Sequence, residues 1–366
     1  MSGYYFISSD LRSTRAHMAQ VLHTAEALGA HLPLVLVAPR YPHADLKTIR
    51  ARHGLSVEPR VRLLWNFGLR NAGFLAFVLF NVPSVLFLIV QRLRGEVSFI
   101  YVRASYFLPL VLIARLLRVP CFFETHRKPM TSGERFREGA IARLSRGLVV
   151  VSAQVGQHFA RFKKPMAVAH DAVDMARFAA SLSREAARAR LHIAPERQVC
   201  VYTGSVSNLK GVNFLVEAAK LLPDVSFLVA GRITADFREA TLPENVSLLG
   251  ELPQEELPAL LRAADVLLLP HPKGEYSQSP MKLFEYMASG TPIVSTRLPP
   301  LEEVLTDDEA LLVASDSGKA LAEGIERTLE DLIAAAARAE RAQREVQQYT
   351  WGARGKKIAE FIRLQL

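Results

Sequence analysis

The sequence has little of what a disulfide scaffold or a metalloenzyme needs. Its 366 residues include two cysteines, Cys121 and Cys200, both inside apolar runs (Val119–Phe123 and Val199–Tyr202) where a thiol packs as a small hydrophobe. A disulfide framework and a zinc knuckle are thereby excluded. None of the ten histidines stands in a His-Glu-x-x-His or other metal-ligand spacing, and no Asp-x-Asp pair occurs, so no metal is expected. Gly-x-Gly-x-x-Gly and Gly-x-x-x-x-Gly-Lys-Ser/Thr are missing too, so a nucleotide would have to be held by a device other than a dinucleotide fingerprint or a P-loop. Lys/Arg-rich clusters with interleaved aromatics are absent, which argues against nucleic acid as a partner. The start, Met1-Ser-Gly-Tyr-Tyr-Phe-Ile7, has no basic stretch followed by an apolar core, so no signal peptide is read and a cytoplasmic location is expected.

At 50% hydrophobic and 22% charged, the chain is too mixed for disorder and too long for one ordinary core; two domains are expected. The net charge of +9 is unevenly spread: residues 1–175 carry 23 Lys/Arg against 10 Asp/Glu, and residues 176–366 carry 22 against 26. Such asymmetry marks a surface that meets anionic lipid or a phosphorylated substrate, and it supports the two-domain division. Within the basic half, Asn71–Gln91 is an uncharged stretch of 21 residues bracketed by Arg60, Arg62 and Arg70 before it and Arg92 and Arg94 after it. That length could span a bilayer, although Asn81, Pro83 and Ser84 interrupt its centre. A spanning helix, a helix pair buried in the core, and a segment lying in the plane of an anionic membrane all fit, and the arginine flanks favour the third.

Short apolar runs alternate with segments of helical spacing from end to end. Tyr4–Ile7, Leu34–Ala38, Phe99–Val102, Cys121–Phe123 and Leu148–Val151 read as buried strands, with helices over His17–Leu28 and Pro109–Leu117 among the segments between them. The pattern resumes with strands at Val199–Thr203, Ser226–Ala230, Val246–Leu249, Val266–Leu269 and Pro292–Ser295, and helices at Val212–Leu222, Pro253–Ala264, Met281–Ala288 and Leu301–Leu305. Arg177–Arg197 has no strand-like run and reads as a linker or short helix. Such βα alternation, twice over, predicts an α/β protein of two doubly wound parallel sheets facing a cleft, with ligand at the carboxyl ends of the strands.

Two stretches carry the chemistry. In Ser277-Gln-Ser-Pro-Met-Lys-Leu-Phe-Glu285-Tyr-Met-Ala-Ser-Gly290, Ser279 is read as an N-cap and Pro280 as the first helical residue, leaving free N–H groups that suit a phosphate. Glu285, about one and a half turns on, could accept hydrogen bonds from sugar hydroxyls. The bland alternative is a capped amphipathic helix with a solvated glutamate. In Val201-Tyr-Thr-Gly204-Ser-Val-Ser-Asn-Leu-Lys210-Gly211, a strand ends in a glycine loop and Lys210 precedes the next helix. A lysine there could neutralise a diphosphate leaving group, whereas the bland alternative is a solvated loop lysine.

With these two stretches, the sequence resembles the retaining, GT-B-fold glycosyltransferases of family 4, the group 1 glycosyltransferases. The resemblance covers nearly the whole chain and is strongest from Val199 to Val304. It includes Val229-Ala-Gly231, Asn245-Val-Ser-Leu-Leu-Gly250 followed by Pro253-Gln-Glu-Glu-Leu257, and Ala263-Ala-Asp265-Val-Leu-Leu-Leu-Pro270. His170-Asp-Ala-Val-Asp174-Met-Ala-Arg-Phe178 resembles the family's domain junction, and Tyr349-Thr-Trp351 the start of a last helix that crosses back to the N-terminal domain.

The resemblance implies an acceptor-binding domain over residues 1–175 plus the helix 349–366, and a nucleotide-sugar-binding domain over 176–348. It implies catalytic roles for His126, Lys210 and Glu285: His126, in Phe123-Glu-Thr-His126, near the transferred sugar, Lys210 on the donor diphosphate, and Glu285 on the donor ribose. The donor site it implies comprises Gly204, Ser205, Lys210, Gly231, Arg232, Leu249, Ser277, Ser279, Pro280, Met281, Lys282 and Glu285, with the backbone of Asn245–Gly250 facing the base. Two positions depart from the family. Ser205 stands where the family has an arginine after the loop glycine, and Ser277 replaces the first glutamate of the Glu-x7-Glu motif, with Glu275 near but out of register.

The function expected is transfer of a sugar from a nucleotide diphosphate sugar, as co-substrate, to a lipid-linked or glycan acceptor with retention and without metal or other cofactor. The place expected is the inner face of the cell membrane. A non-catalytic sugar-nucleotide-binding protein and a sugar-nucleotide 2-epimerase of the same fold are the alternatives.

Overall fold

The computed structural model describes residues 1–366 apart from 14, 42–44, 67–78, 180–181, 238–241 and 275–278. Two compact units divide the chain: Met1–Asp171 with Trp351–Leu366, and Ala172–Thr350.

The first unit is built on seven parallel strands, β1 (Ser2–Phe6), β2 (Leu34–Pro39), β3 (Val61–Leu64), β4 (Val97–Val102), β5 (Cys121–Thr125), β6 (Gly147–Val150) and β7 (Met166–Val168), in the order β3-β2-β1-β4-β5-β6-β7. Helices cover both faces, so the strands are apolar on both sides. Tyr4, Phe6, Ile100, Val102 and Phe123 pack in one core layer, and Tyr5, Phe99, Tyr101 and Phe122 in the other. The last helix, Trp351–Gln365, belongs to this second layer through Ile358, Ala359 and Ile362. It lies so close to the helix Ala16–Gly29 that a Cβ on Gly355 would come within 2.5 Å of the Ala27 Cβ, and Trp351 stacks on His23 with ring centroids 5.0 Å apart.

The second unit repeats the plan with six parallel strands, β8 (Val199–Thr203), β9 (Ser226–Ala230), β10 (Val246–Gly250), β11 (Val266–Leu269), β12 (Ile293–Thr296) and β13 (Leu311–Val313), ordered β10-β9-β8-β11-β12-β13. In each sheet the winding reverses at one place, between β1 and β4 and between β8 and β11. Strand order of this kind leaves a crevice at the carboxyl ends of those two strands, where ligands of open α/β sheets bind.

The edge strands β3, β7 and β13 have no counterpart in the sequence reading. Each has three or four residues, and β3 and β7 contain no fully buried position, so neither length nor apolar pattern distinguishes them from loop. The segment Arg177–Arg197 carries helices Ala176–Ala179 and Arg184–Arg190. The second is anchored by Arg188, which is buried and pairs with Asp265 Oδ2 at 2.6 Å.

Asn81, Pro83 and Ser84 begin a helix, Asn81–Leu93, where the sequence suggested an interruption of a longer one. Pro83 sits in the first turn, where its missing N–H removes no hydrogen bond. Ser84 Oγ donates to the Phe80 carbonyl at 2.8 Å, and the Asn81 amide to Tyr106 O. Among the described residues no helix is long and apolar enough to cross a membrane; residues 71–78 of the uncharged stretch lie outside the described residues.

Candidate functional site

The carboxyl end of β8 runs into the loop Gly204–Gly211, and the end of β11 into Pro270-His271. Both loops rest on glycines that admit no side chain. At Gly231, φ is +143° and a Cβ would fall 1.8 Å from the Gly204 carbonyl oxygen; at Gly211, φ is +79° and a Cβ would fall 1.6 Å from that of Pro270. The loops after β8, β9 and β11 are therefore in backbone contact, which fixes Lys210 beside the helix that follows β11. Asp236, after β9, braces the same loop by accepting from Ser207 Oγ at 2.6 Å and from Leu209 N.

That helix runs Met281–Ser289, starting at Met281 as the apolar spacing predicts, but Ser279 is not its N-cap and Pro280 is not its first residue. Pro280 has extended ψ (126°) and is itself the N-cap, with no side chain capping the turn. A proline has no N–H to contribute, so it serves as well outside the ladder as at its first position; its carbonyl accepts from Leu283 N at 2.9 Å. Ser279 and Pro280 are half-buried at this helix start. Ser277 and Glu275 lie outside the described residues.

Lys282, one residue into the helix, points back over the ring of Tyr202 in β8, with Nζ 3.8 Å from the centroid. The ammonium is buried and has no hydrogen-bond partner among the described residues. Burial pushes its pKa well down, and the charge of Lys210 pushes it further; Glu285 opposes the shift. Lys210 is lowered by burial as well. His271 is fully buried and held neutral, by burial first and then by Lys282 and Lys210. Glu285 is raised by burial, against the attraction of Arg177 and Lys282, and its Oε1 lies 3.6 Å from Arg177 Nη1. Arg177 in turn donates to the Gln254 carbonyl at 2.8 Å.

Of the residues implied for donor binding, Gly204, Lys210, Gly231, Pro280, Met281, Lys282 and Glu285 therefore fall on this one group of loops and helix start. Ser205 is exposed, with its carbonyl accepting from Tyr202 Oη. Arg232 has an exposed side chain and holds the Val206 N–H through its carbonyl. Leu249 is an exposed residue of β10, and the Asn245 side chain is spent on the carbonyls of Ala219, Leu222 and Val225. Sequence reasoning missed Tyr202, His271, Arg177 and Asp236. His271 directly follows the apolar run of β11 and could have been found there, whereas nothing in the sequence ties Arg177 to Glu285 or Asp236 to Ser207.

In the first unit, the ends of β4 and β5 carry Arg103 and His126. His126 Nε2 lies 2.6 Å from Glu124 Oε1, and its Nδ1 lies 2.9 Å from Gln20 Nε2. Arg60, Arg62, Arg92 and Arg94 are exposed; Arg70 lies outside the described residues. Arg60 precedes β3, while Arg92 and Arg94 stand at the end of the helix that leads into β4. In a parallel sheet these places share the amino edge, opposite the edge that holds His126. Among the described residues no group of three or more His, Cys, Asp or Glu could hold a metal ion.

Residues 197–331 match the family described as "Glycosyl transferases group 1". The D-inositol 3-phosphate glycosyltransferase of Corynebacterium urealyticum is 27% identical over 231 residues, 58% of this chain and 54% of the relative. The enzyme of the same name from Mycobacterium sp. (strain KMS) is 33% identical over 152 residues, 38% of this chain and 34% of the relative. The chain thus spans about half or less of the length of these relatives. Among solved structures, sucrose-phosphate synthase from Thermosynechococcus elongatus is similar with a TM-score of 0.79 at 18% identity, covering 100% of this chain and 99% of that one. Anabaena HepE in complex with UDP-glucose is similar with a TM-score of 0.75 at 19% identity over 100% of both chains. Residues 197–331 thus match the group 1 glycosyltransferases, and the chain has the GT-B fold of these solved structures.

Proposed function

We propose that the protein transfers a sugar, with retention at the anomeric carbon, from a nucleotide diphosphate sugar to a lipid-linked or glycan acceptor at the inner face of the cell membrane. The observation that carries this reading is Lys282, half-buried at a helix start with its ammonium out of water over the Tyr202 ring, together with a second half-buried lysine, Lys210, whose charge acts on it. Two cations brought together out of water are costly unless an anion joins them, and a diphosphate supplies the matching charge. The N–H groups at the start of Met281–Ser289 add further donors to the same anion.

As the bond from the anomeric carbon to the diphosphate breaks, negative charge grows on the leaving oxygen. Lys210, Lys282 and the helix start stabilise it there, in place of a metal. The leaving diphosphate then takes the proton of the attacking hydroxyl on the same face, which retains the configuration and needs no separate carboxylate base. Glu285, oriented by Arg177, accepts from the ribose hydroxyls. HepE, of the same fold, is known in complex with UDP and with UDP-glucose, which supports a nucleotide diphosphate sugar as the ligand class.

A membrane-borne acceptor suits the first unit. The helix Asn81–Leu93 exposes Val82, Leu86, Val90 and Leu93 along one stripe, and the helix packed beside it, Leu108–Leu116, exposes Leu112 and Leu116. Arg92, Arg94, Arg115 and Arg118 are exposed on the same segments. Apolar side chains rimmed by arginine fit an anionic bilayer surface.

The test is a panel of nucleotide sugars screened for thermal stabilisation, where a ligand at 100 times its Kd adds about 2.7 kcal/mol. Turnover with the stabilising donor is then followed with and without EDTA. Release of free nucleotide with a glycosylated product that keeps the anomer, unaffected by EDTA, is the expected result. An isomerised nucleotide sugar would assign an epimerase, and donor binding without turnover a sensor.

A further inference from the structure

Behind His126 lies a buried chain of hydrogen bonds that begins on the last helix. Glu124, in the middle of β5, is fully buried, and Arg354, 230 residues later, is equally so; the two form an ion pair through Arg354 Nη2 and Glu124 Oε1. Glu124 Oε2 accepts from Tyr101 Oη at 2.9 Å, and Oε1 is shared with His126 Nε2. On the other side of the ring, Gln20 faces His126 Nδ1 through its amide nitrogen, while its oxygen accepts from Arg103 Nη2.

This wiring determines where the protons are. Burial alone would raise the Glu124 carboxyl, but Arg354, then His126 and Arg103, outweigh it and hold the group well below the usual carboxylate range. An ionised carboxylate only accepts, so His126 Nε2 must carry the hydrogen. Arg103 only donates, so the Gln20 oxygen faces Arg103 and its NH2 faces the ring, which leaves Nδ1 as an acceptor. Both ring nitrogens are then committed inside the protein.

We propose that Arg354 is a positioning residue: by keeping Glu124 as a carboxylate, it locks His126 as the neutral Nε2–H tautomer in a single ring orientation, with Gln20 and Arg103 closing the other side. His126 then offers the substrate a fixed shape and no proton. Its role at the transferred sugar rests on the function proposed above, but the tautomer does not. The charged and titratable groups around the ring are Glu124 on its own strand, Arg103 after β4, Arg354 on the last helix and Asp171 after β7, with Tyr5 and Tyr101 beside them. Asp171 titrates near neutrality, raised to about 7 by burial against the pull of Arg354 and Arg103, so the readout must come from the His126 ring itself.

The experiment is 15N NMR of histidine-labelled full-length protein between pH 5.5 and 8, with His126→Asn to assign the signals. The wild type should show a protonated-type shift on Nε2, an unprotonated-type shift on Nδ1, and no titration across that range. The pair Glu124→Gln with Arg354→Met, made in a Gln20→Leu background that frees Nδ1, keeps the site neutral and removes the carboxylate that fixes the proton, so the two nitrogens should move toward averaged shifts, whereas Gln20→Leu alone should keep the wild-type tautomer. Turnover of the stabilising donor should fall about 10- to 100-fold in kcat, with donor affinity unchanged. Arg354→Lys, which keeps the cation, should restore the wild-type spectrum and serves if the double variant does not fold. A wild-type ring with the proton on Nδ1, or one that titrates between pH 5.5 and 8, overturns the proposal whether or not any donor is turned over. So does the wild-type tautomer in the protein that carries Gln20→Leu, Glu124→Gln and Arg354→Met together.

Discussion

Both units wind a parallel sheet in the same order and place basic side chains at the carboxyl edge where the winding reverses, yet they handle the charge in opposite ways. At this edge of the first unit the cations have internal partners through part of their forks: Arg354 pairs with Glu124, and Arg103 donates to Gln20, which holds His126, while Arg354 Nε and Nη1 and Arg103 Nη1 are buried without a hydrogen bond among the described residues. In the second, the Lys282 ammonium lies over the Tyr202 ring without a hydrogen bond among the described residues, and the charge of Lys210 pushes its pKa down. The first arrangement pairs its charge internally; in the reading proposed above, the second stores repulsion that an anion relieves. The site proposed to receive an anion leaves an ammonium without a hydrogen bond, and the site that positions a neutral ring joins its charges to one another.

The largest effect should come from breaking the balanced unit. Arg354→Met alone strands a buried carboxylate and should cost about 3–5 kcal/mol in chemical denaturation, most of it recovered when Glu124→Gln is added. An equal loss in both variants would mean that the last helix, and not the ion pair, is what the substitution disturbs.

A second contrast is in pH. The folded-state pKa of Asp171 is raised to about 7, so the folded chain holds the extra proton between the ordinary Asp range and that value. The stability this contributes is present at low pH and lost as pH rises toward 7. Asp171→Asn should remove a fall on the order of 3 kcal/mol between pH 4 and 7, measured as the difference between the two stability curves.

Lys282 has the opposite sign. Its folded-state pKa is depressed, so the unfolded chain holds more protons and stability climbs with pH toward the ordinary lysine range. Lys282→Met should flatten that climb and leave the midpoint at pH 7 unchanged or higher, while nucleotide binding by calorimetry weakens by about 1.5–3 kcal/mol. Stability and affinity moving together would contradict the stored-repulsion reading.

The smallest effects belong to the outer surface of the first unit. Replacing Arg92 and Arg94 by Gln should lower partitioning onto anionic vesicles by about 1 kcal/mol each, and high salt should do the same to the wild type. Nucleotide affinity should not move, because Lys210, Lys282 and Glu285 belong to the other unit. Retention on vesicles after a carbonate wash would argue against peripheral docking.

Much of this was legible in the residues alone. Runs such as Val199–Thr203 and Val266–Leu269 are buried on both faces, and such runs declare a parallel sheet without any partner in view. Glycine positions, Lys210 and the Ser-Pro-Met-Lys start of a helix are local features, and local spacing reports them. The edge strands β3, β7 and β13 gave no such signal, because they lack the run of fully buried residues that marks Val266–Leu269 at a similar length. Long-range partners were equally silent. Tyr202 beneath Lys282, Arg177 beside Glu285, and Arg354 reaching Glu124 across 230 residues are pairs that only the folded chain brings together. The sequence by itself determined which backbone patterns could form and which residue types were on hand. Tertiary structure decided which charges meet, and in a buried site that choice alone sets protonation, hydrogen-bond direction and the sign of each charge's effect on stability.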